Sequence, residues 1–397
     1  AKAVSTLVTH IVGDGITGRS RTNDQNLDAK VDALWDAHCK TMDADGQLTF
    51  AGLQTLTCRE MIEGGEALIR KRPRRAADRL PVPLQVQVIE SDLLDVTRVG
   101  PMQDNDTFAI QGIEFDKIGR RVNYWLFPAH PGNNYLMYKV TLLSVRIPAE
   151  DVIHVYEKQR TQVRGVPWGS PVISNFRDLD DYEDAELMRK KIESCSVGVV
   201  TGGDELDMGI GVPVVGEEKE QAGVYDGDNV LVERFEPGMF FHLRGGRDVK
   251  FHTPAPTGSY ESYKRASLQT IAAGFRIPYE LLSGDLAHVS FISGRLGLQE
   301  FHRLVSQVQK QIFIPTVCQR LWDWFVEAAI TSGALPDRPG GYPVEWSCPP
   351  MPSTQPLDDA MADLIRVRGG HRSLFDVIAQ VTGRNPKDVL AEIAEAN

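Results

Sequence analysis

Gly13, Gly15 and Gly18 stand at the GxGxxG spacing that lets a backbone turn cradle a dinucleotide pyrophosphate, directly after an apolar run at 7–12. That chemistry needs a helix N-terminus behind the last glycine, and residues 19–26 read RSRTNDQN, a polar loop. These residues support a strand closed by a glycine turn, with no nucleotide. Asp43 and Asp45 before Gly46 hint at a calcium loop. Aligning Gly46 with the turn glycine puts Thr41 at the first ligand position and Gly52 at the last, where Asp and a bidentate Glu are required, so a tight Asp-Gly turn is expected instead.

The nine histidines form no HExxH pair, and His10, His38, His154 and His302 lie beside apolar neighbours, where packed imidazoles are expected rather than ligands. Cys39, Cys58, Cys195, Cys318 and Cys348 are isolated and odd in number, which fits free thiols and neither a disulfide framework nor a zinc site. There is no GxSxG elbow, no cysteine beside a plausible base and no GxxxxGK[ST] phosphate loop. Catalytic, cofactor and metal residues are therefore expected to be none, and any ATP-driven motor the chain serves is another protein. The one dense basic cluster, Arg70-Lys71-Arg72-Pro73-Arg74-Arg75, reads as a solvated hairpin tip, with contact to DNA or an acidic neighbour as the rival.

At 397 residues the chain exceeds one ordinary core and should divide into two or more packed units. Its 42% hydrophobic and 24% charged content is that of a globular protein, and no apolar run reaches the roughly 18 residues of a membrane span. The first residues lack a signal-peptide cleavage pattern, so a cytosol-like compartment is expected; with no Met at position 1, further residues ahead of Ala1 are expected. The net charge of −11 argues against a DNA binder that holds its ligand through a basic footprint. A conduit escapes that argument, because acidic walls displace no counterions from the duplex and let it slide.

Periodicity gives helices at 27–37 and 48–62, with strands at 84–89, 135–143 and 151–156, so the first 165 residues read as α+β. Residues 175–191, NFRDLDDYEDAELMRKK, form a helix with acid leading and base trailing, the order the macrodipole favours, and with Val172, Phe176, Leu179 and Tyr182 on one stripe. Residues 196–256 become glycine-rich and acidic, with strand candidates at 230–235 and 239–243. A second helix is expected at 259–276, a small glycine-flanked mobile loop at 283–294, and a long helix at 295–329 kinked by Pro315. After a proline-rich crossing, small helices follow at 357–367, 373–381 and 386–396, with Gly383 as a C-terminal cap and Asn385 as an N-cap.

Three stretches occur in a telling order: Gly112-Ile113-Glu114-Phe115-Asp116-Lys117-Ile118-Gly119-Arg120, then Gln162-Val163-Arg164-Gly165-Val166-Pro167-Trp168-Gly169-Ser170-Pro171 with the acidic helix behind it, then Pro278-Tyr279-Glu280-Leu281-Leu282-Ser283-Gly284-Asp285. Together they resemble the lambda-type portal proteins of tailed bacteriophages, across nearly the whole chain. The resemblance implies an α+β, multi-domain, ring-forming fold: an α/β wing at 1–170, a first stem helix at 171–195, a β-rich clip at 196–258, and a second stem helix at 259–278. A tunnel loop at 279–296, the long kinked helix with the wing return at 297–356, and a small helical crown at 357–397 complete it.

The same resemblance implies a twelve-subunit homo-oligomer at one capsid vertex of the virion, assembled in the host cytoplasm. It would serve as the channel for packaging and ejection of double-stranded DNA, without sequence specificity and without a membrane. Its implied partners are the terminase large subunit, the head-tail adaptor, and the major capsid and scaffold proteins. Asp285, His288, Ser290 and Phe291 would face the channel from the tunnel loop. Lys190, Lys191, Lys264 and Arg265 would be the basic groups of the stem, pairing between subunits or tracking phosphates. Asp204, Glu205, Asp207, Glu217 and Glu218 would be clip charges that dock terminase or adaptor. The competing readings are a soluble nucleotide-binding enzyme built on the first 165 residues and another virion structural protein. An enzyme would show a closed pocket with perturbed ionisable groups, and a capsid protein would lack two helices bracketing an acidic insertion.

Overall fold

A computed structural model describes residues 2–102, 107–132, 143–194, 198–201, 248–251, 260–287, 289–353 and 355–396. The strands expected at 230–235 and 239–243, most of that at 135–143, His288, and all five clip acids (Asp204, Glu205, Asp207, Glu217 and Glu218) lie outside the described residues. The chain divides into two units, Ala1–Val172 with Ala272–Asn397, and Ile173–Ile271.

The first unit opens with helix α1 (Lys2–Ile11), which buries Ala3, Val4, Leu7, Val8 and Ile11. The strand expected from the apolar run at 7–12 is thus a helix. Spacings of three and four residues put those five side chains on one stripe, and the run only masks that periodicity. The glycines lead into β1 (Thr17–Ser20) instead of ending a strand, which inverts the order a dinucleotide fingerprint needs. Helix α2 (Gln25–Cys39) starts at Asp24, whose carboxylate accepts from the amides of Asn26 and Leu27. Helix α3 (Phe50–Glu63) follows. Between α2 and α3 the Asp43 carboxylate accepts the amides of Asp45, Gln47 and Leu48, closing an Asp-Gly turn with its own backbone.

Strands β2 (Glu66–Pro73) and β3 (Leu84–Ile89) pair antiparallel, with Arg70 opposite Gln87 and Arg72 opposite Gln85. The basic cluster therefore begins inside a strand, and the hairpin-tip reading holds for Arg74 and Arg75 alone. The next strands, β4 (Gly100–Met102), β5 (Thr107–Ile110), β6 (Ile113–Phe115), β7 (Arg121–Leu126) and β8 (Val145–Pro148), form an antiparallel meander in chain order. Then β9 (Val152–Tyr156) returns to the other edge of β2, giving the order β3-β2-β9. The two sheets share a core of Leu68, Ile89, Leu94, Ile113, Phe115, Tyr124, Leu126, Ile147 and Val152. Each such side chain contributes about 1.5–3 kcal/mol by leaving water, which makes this core the rigid base of the first unit.

The second unit holds helix α4 (Ile173–Ser194), strands β10 (Gly198–Thr201) and β11 (Asp248–Phe251) paired antiparallel, and most of helix α5 (Tyr260–Gly274). At 22 residues α4 is about 33 Å long. Of the stripe expected along it, Val172 is buried just ahead of the helix, Leu179 and Tyr182 are half-buried and Phe176 is 45% exposed, while Ile173, Leu187 and Met188, off that stripe, are more exposed still. The Tyr182 ring lies 4.2 Å from that of Tyr263, so α4 and α5 meet through aromatic rings rather than an aliphatic seam.

Back in the first unit, α6 (Tyr279–Ser283) ends at Gly284, and α7 (Phe291–Val308) follows. The long helix expected at 295–329 starts four residues earlier and is not a single kinked rod. Residues Gln309–Cys318 are a π-helical segment containing Pro315, and α8 (Gln319–Thr331) continues from it. Pro315 supplies no amide to the ladder, and the wider turn accommodates that gap over ten residues instead of one sharp bend. The segment is pinned by Gln309, whose side-chain amide donates to the Ile11 carbonyl at 2.7 Å. Trp35 ties α2 to α8, its ring 5.0 Å from Trp322 and 4.9 Å from Phe325. Strand β12 (Val344–Ser347) pairs with β1, and α9 (Pro356–Arg368), α10 (Leu374–Thr382) and α11 (Pro386–Ala396) end the chain. Among the described residues no helix is long and apolar enough to cross a membrane.

Candidate functional site

The QVRGVPWG stretch has a structural explanation in two glycines that cross. A Cβ on Gly165 would collide with the carbonyl of Gly65, and one on Gly65, at φ +87°, would strike the peptide joining Val166 and Pro167. The crossing delivers the Gly165 amide to the Glu66 carboxylate at 2.8 Å. Glu66 is 2% exposed and also accepts from Arg164 Nε at 2.5 Å and from His154 Nε2 at 2.8 Å. Burial alone would raise its pKa, but the hydrogen bonds from His154, Arg164 and Gly165 outweigh it and hold the carboxyl at about 2. Arg121 Nη1 donates to His154 Nδ1 at 2.8 Å, which assigns the proton to Nε2, and burial keeps the imidazole neutral. Arg121 Nη2 reaches the Tyr156 hydroxyl at 2.6 Å and the Val163 carbonyl at 2.8 Å. Strands β2, β7 and β9 and the 162–168 segment are thus joined by one charge-assisted network. No local signal reveals Glu66, because its partners lie 88 to 99 residues away.

The chain leaves the first unit through Trp168–Val172 and re-enters at Ala272. Trp168 is 4% exposed, its amide donates to the Ile62 carbonyl, and the Arg276 guanidinium lies 4.3 Å above its ring. Arg276 pairs two-pronged with Glu157, at 2.9 and 2.6 Å, while holding φ +59°. A Cβ on Gly169 would come within 2.6 Å of the Phe275 ring, so outgoing and returning segments are in direct backbone-to-ring contact.

Around the expected tunnel loop, the groups mostly serve local geometry. The Asp285 carboxylate accepts the Ala287 amide and the Tyr279 hydroxyl. Ser290 caps α7, its hydroxyl accepting the Ser293 amide at 3.2 Å. Phe291 is the first residue of α7 rather than part of the loop, and it is 55% exposed beside Ile292 at 79%. On the expected stem, Lys264 pairs with Glu183 at 2.6 Å, a bridge within the chain from α5 to α4 that raises its pKa. Lys190 and Lys191 lie exposed in the last turns of α4, and Arg265 is half-buried on α5.

Other clusters offer little chemistry. Glu90, Asp92 and His130 bring ligand atoms within 4.8 Å of one another, yet His130 Nδ1 accepts the Gly132 amide, which leaves the Nε2 proton facing the acids. A groove of about 420 Å³ between β2 and α8 is lined by Lys71, Glu150, Asp151, Arg320, Asp323 and Glu327, with Lys71 and Glu327 paired at 2.7 Å and no nucleophile among them. Burial raises the thiol pKa of Cys39, Cys58, Cys318 and Cys348, which suits packing rather than reactivity.

The fold is shared with solved structures. The neck of an empty gene transfer agent (GTA) particle, computed with C6 symmetry, superposes with a TM-score of 0.53 at 15% identity, over 96% of this chain and 89% of that one. The neck of a native GTA particle, computed with C12 symmetry, gives 0.51 at the same identity and coverage. In sequence, a "Probable portal protein" of Halomonas phage phiHAP-1 is 26% identical over 368 residues, 89% of this chain; the chain spans 66% of that relative's length. Residues 1–309, which contain the crossed glycines, the Arg276 anchor and the Ser290 cap, match the family described as phage portal protein, lambda family. On that match, the chain belongs to the lambda family of phage portal proteins.

Proposed function

We propose that twelve copies of this chain close into a ring at one vertex of a phage capsid and form the passage through which double-stranded DNA is packaged and later ejected. The family match over residues 1–309 carries this reading, and the C12 symmetry of the similar GTA neck supports the subunit number. The first unit is the wing, with α9 to α11 as its crown; α4 and α5 are the stem, residues 196–258 the clip, and the segment between α6 and α7 the tunnel loop. A helix that is polar almost all round, yet exposes Ile173, Phe176, Leu187 and Met188, suits a rod covered by neighbouring copies. The exposed apolar side chains of α9 and α10, Leu357, Met361, Ile365 and Phe375 among them, suit the same assembly.

In this reading the chain performs no catalysis. A terminase ATPase drives DNA through the ring, a head-tail adaptor later seats on it, and scaffold and major capsid proteins build the head around it. The clip acids Asp204, Glu205, Asp207, Glu217 and Glu218 dock terminase or adaptor. The net charge of −11 per chain keeps the wall from gaining affinity for phosphates, so the duplex slides. Phe291, with Asp285, His288 and Ser290 before it, narrows the passage by bulk rather than by charge.

Native mass measurement of the purified protein tests the assembly: a species of twelve chains is expected, and a stable monomer or dimer at all concentrations would overturn it. Phe291→Ala tests the constriction: rings should form as in wild type while packaged DNA or its retention falls, and an unchanged virion yield would remove Phe291 from the channel.

A further inference from the structure

Strand alternation puts Leu68, Arg70 and Arg72 on one face of β2, and Arg74 prolongs the row just beyond the strand end. Leu68 lies in the shared core, and the row emerges where that core stops. Arg72 donates through Nε and Nη2 to Gln87 Oε1, at 3.1 and 2.5 Å. Arg74 Nε donates to Gln85 Oε1 at 2.7 Å, and Gln85 is itself held by the carbonyls of Thr41 and Asp43. Neutral amides thus aim two guanidiniums without cancelling either charge. Among the described residues no ion pair within 4 Å engages Arg70, Arg72 or Arg74. Burial, and then the charge of the next arginine in the row, lowers the pKa of Arg70 and of Arg72, with Asp151 and Asp45 opposing from a distance. Lys71, on the opposite face, is different: it is paired with Glu327 at 2.7 Å.

We propose that Arg70, Arg72 and Arg74 form a phosphate-binding row that docks on the backbone of double-stranded DNA without reading its bases. Guanidiniums suit phosphate because their planar fork can engage two oxygens at once. An acidic protein segment could meet the same charges, but a protein interface needs an apolar centre to exclude water, and the cross-strand neighbours of this row are Gln87, Gln85 and Val152, the last already buried in the core. Backbone docking on nucleic acid needs charge alone. The choice of DNA among polyanions rests on the channel reading, in which this row is a local basic exception to a chain whose net charge is −11; the row itself does not.

The test uses the assembled protein and a mixed-sequence duplex, with affinity measured against salt concentration. Each phosphate contact contributes about 0.9 to the slope of log affinity on log salt, so R70Q/R72Q/R74Q should flatten that slope by roughly 2–3 while K71Q leaves it unchanged. The charge-keeping R70K/R72K/R74K should retain most of the slope. An unaltered slope in the glutamine variant overturns the proposal, as does an equal loss in the lysine variant, which would mean a damaged fold. Selective loss of binding to polyglutamate, with duplex binding intact, overturns it in favour of a protein-docking row. Absence of rings in the wild type would instead contradict the channel reading and leave the slope comparison valid.

Discussion

The Arg276 guanidinium lies 4.3 Å above the indole of Trp168, joining two residues 108 positions apart at the points where the chain leaves and re-enters its first unit. The same guanidinium donates two hydrogen bonds to the Glu157 carboxylate. Both exposed-edge salt bridges and cation–π contacts are individually modest, about 0.2–1 and 0.5–1 kcal/mol. Arg276→Ala should therefore cost about 1–2 kcal/mol and lower Tm by a few degrees, with Arg276→Lys in between; a thermal melt indistinguishable from wild type would show that the stack carries no weight.

Glu66 gives stability a definite acid limit. Its folded pKa of about 2 lies below the 4.5 of an ordinary glutamate, so the unfolded chain binds more protons between those values. The stabilisation, on the order of 3 kcal/mol, is present above about pH 4.5 and is lost as pH falls towards 2. Glu66→Gln should be destabilised by a similar amount at neutral pH, and the gap from wild type should close through that acid window. Denaturant titrations at stepped pH measure it, and a gap that stays constant would exclude the charge as its source.

His38 acts over a different range. It is fully buried against Trp35 and Phe325, neither ring nitrogen has a hydrogen-bond partner among the described residues, and burial lowers its pKa to about 4. Between pH 6.5 and 4 the unfolded state takes up a proton that the folded state refuses, so stability drops by about 3 kcal/mol as pH falls across that span. His38→Phe removes the titrating group and should flatten this part of the stability profile; an equally steep profile would point to other groups.

Two glycines should behave in opposite ways. Gly165→Ala places a methyl in the Gly65 carbonyl and should cost more than about 3 kcal/mol, enough to lose soluble protein. Gly297, inside α7 with nothing within 4 Å of an added Cβ, should gain about 0.5–1 kcal/mol on replacement by Ala. Paired expression and melting measurements check both signs at once.

Elements that announce themselves by period were legible in the chain: α2, α3 and α5 follow the spacing of their apolar residues, and β3 its alternation. Where the signal was mixed, the reading slipped. Residues 7–12 are apolar without interruption, and that run concealed the helical stripe that begins at Ala3 and Val4. Ser290 and Ser293 stand at capping-box spacing, a readable mark of where α7 begins, yet the glycines on both sides drew the expected loop past Phe291. The basic cluster looked like a tip because the ten residues separating β2 from β3 gave no hint of how far the pairing reached back. The Glu66 and Arg276 anchors had no local mark, since each depends on partners brought together by the whole fold. The family resemblance was carried by short ordered stretches, and the crossed glycines now give one of them, QVRGVPWG, a steric reason.

The passage itself is the most exposed part of the account. An electron-microscopy reconstruction of the purified assembly, viewed along its symmetry axis, should show twelve subunits around an open centre whose lining is negatively charged. A closed centre, or a lining dominated by lysine and arginine, would contradict it.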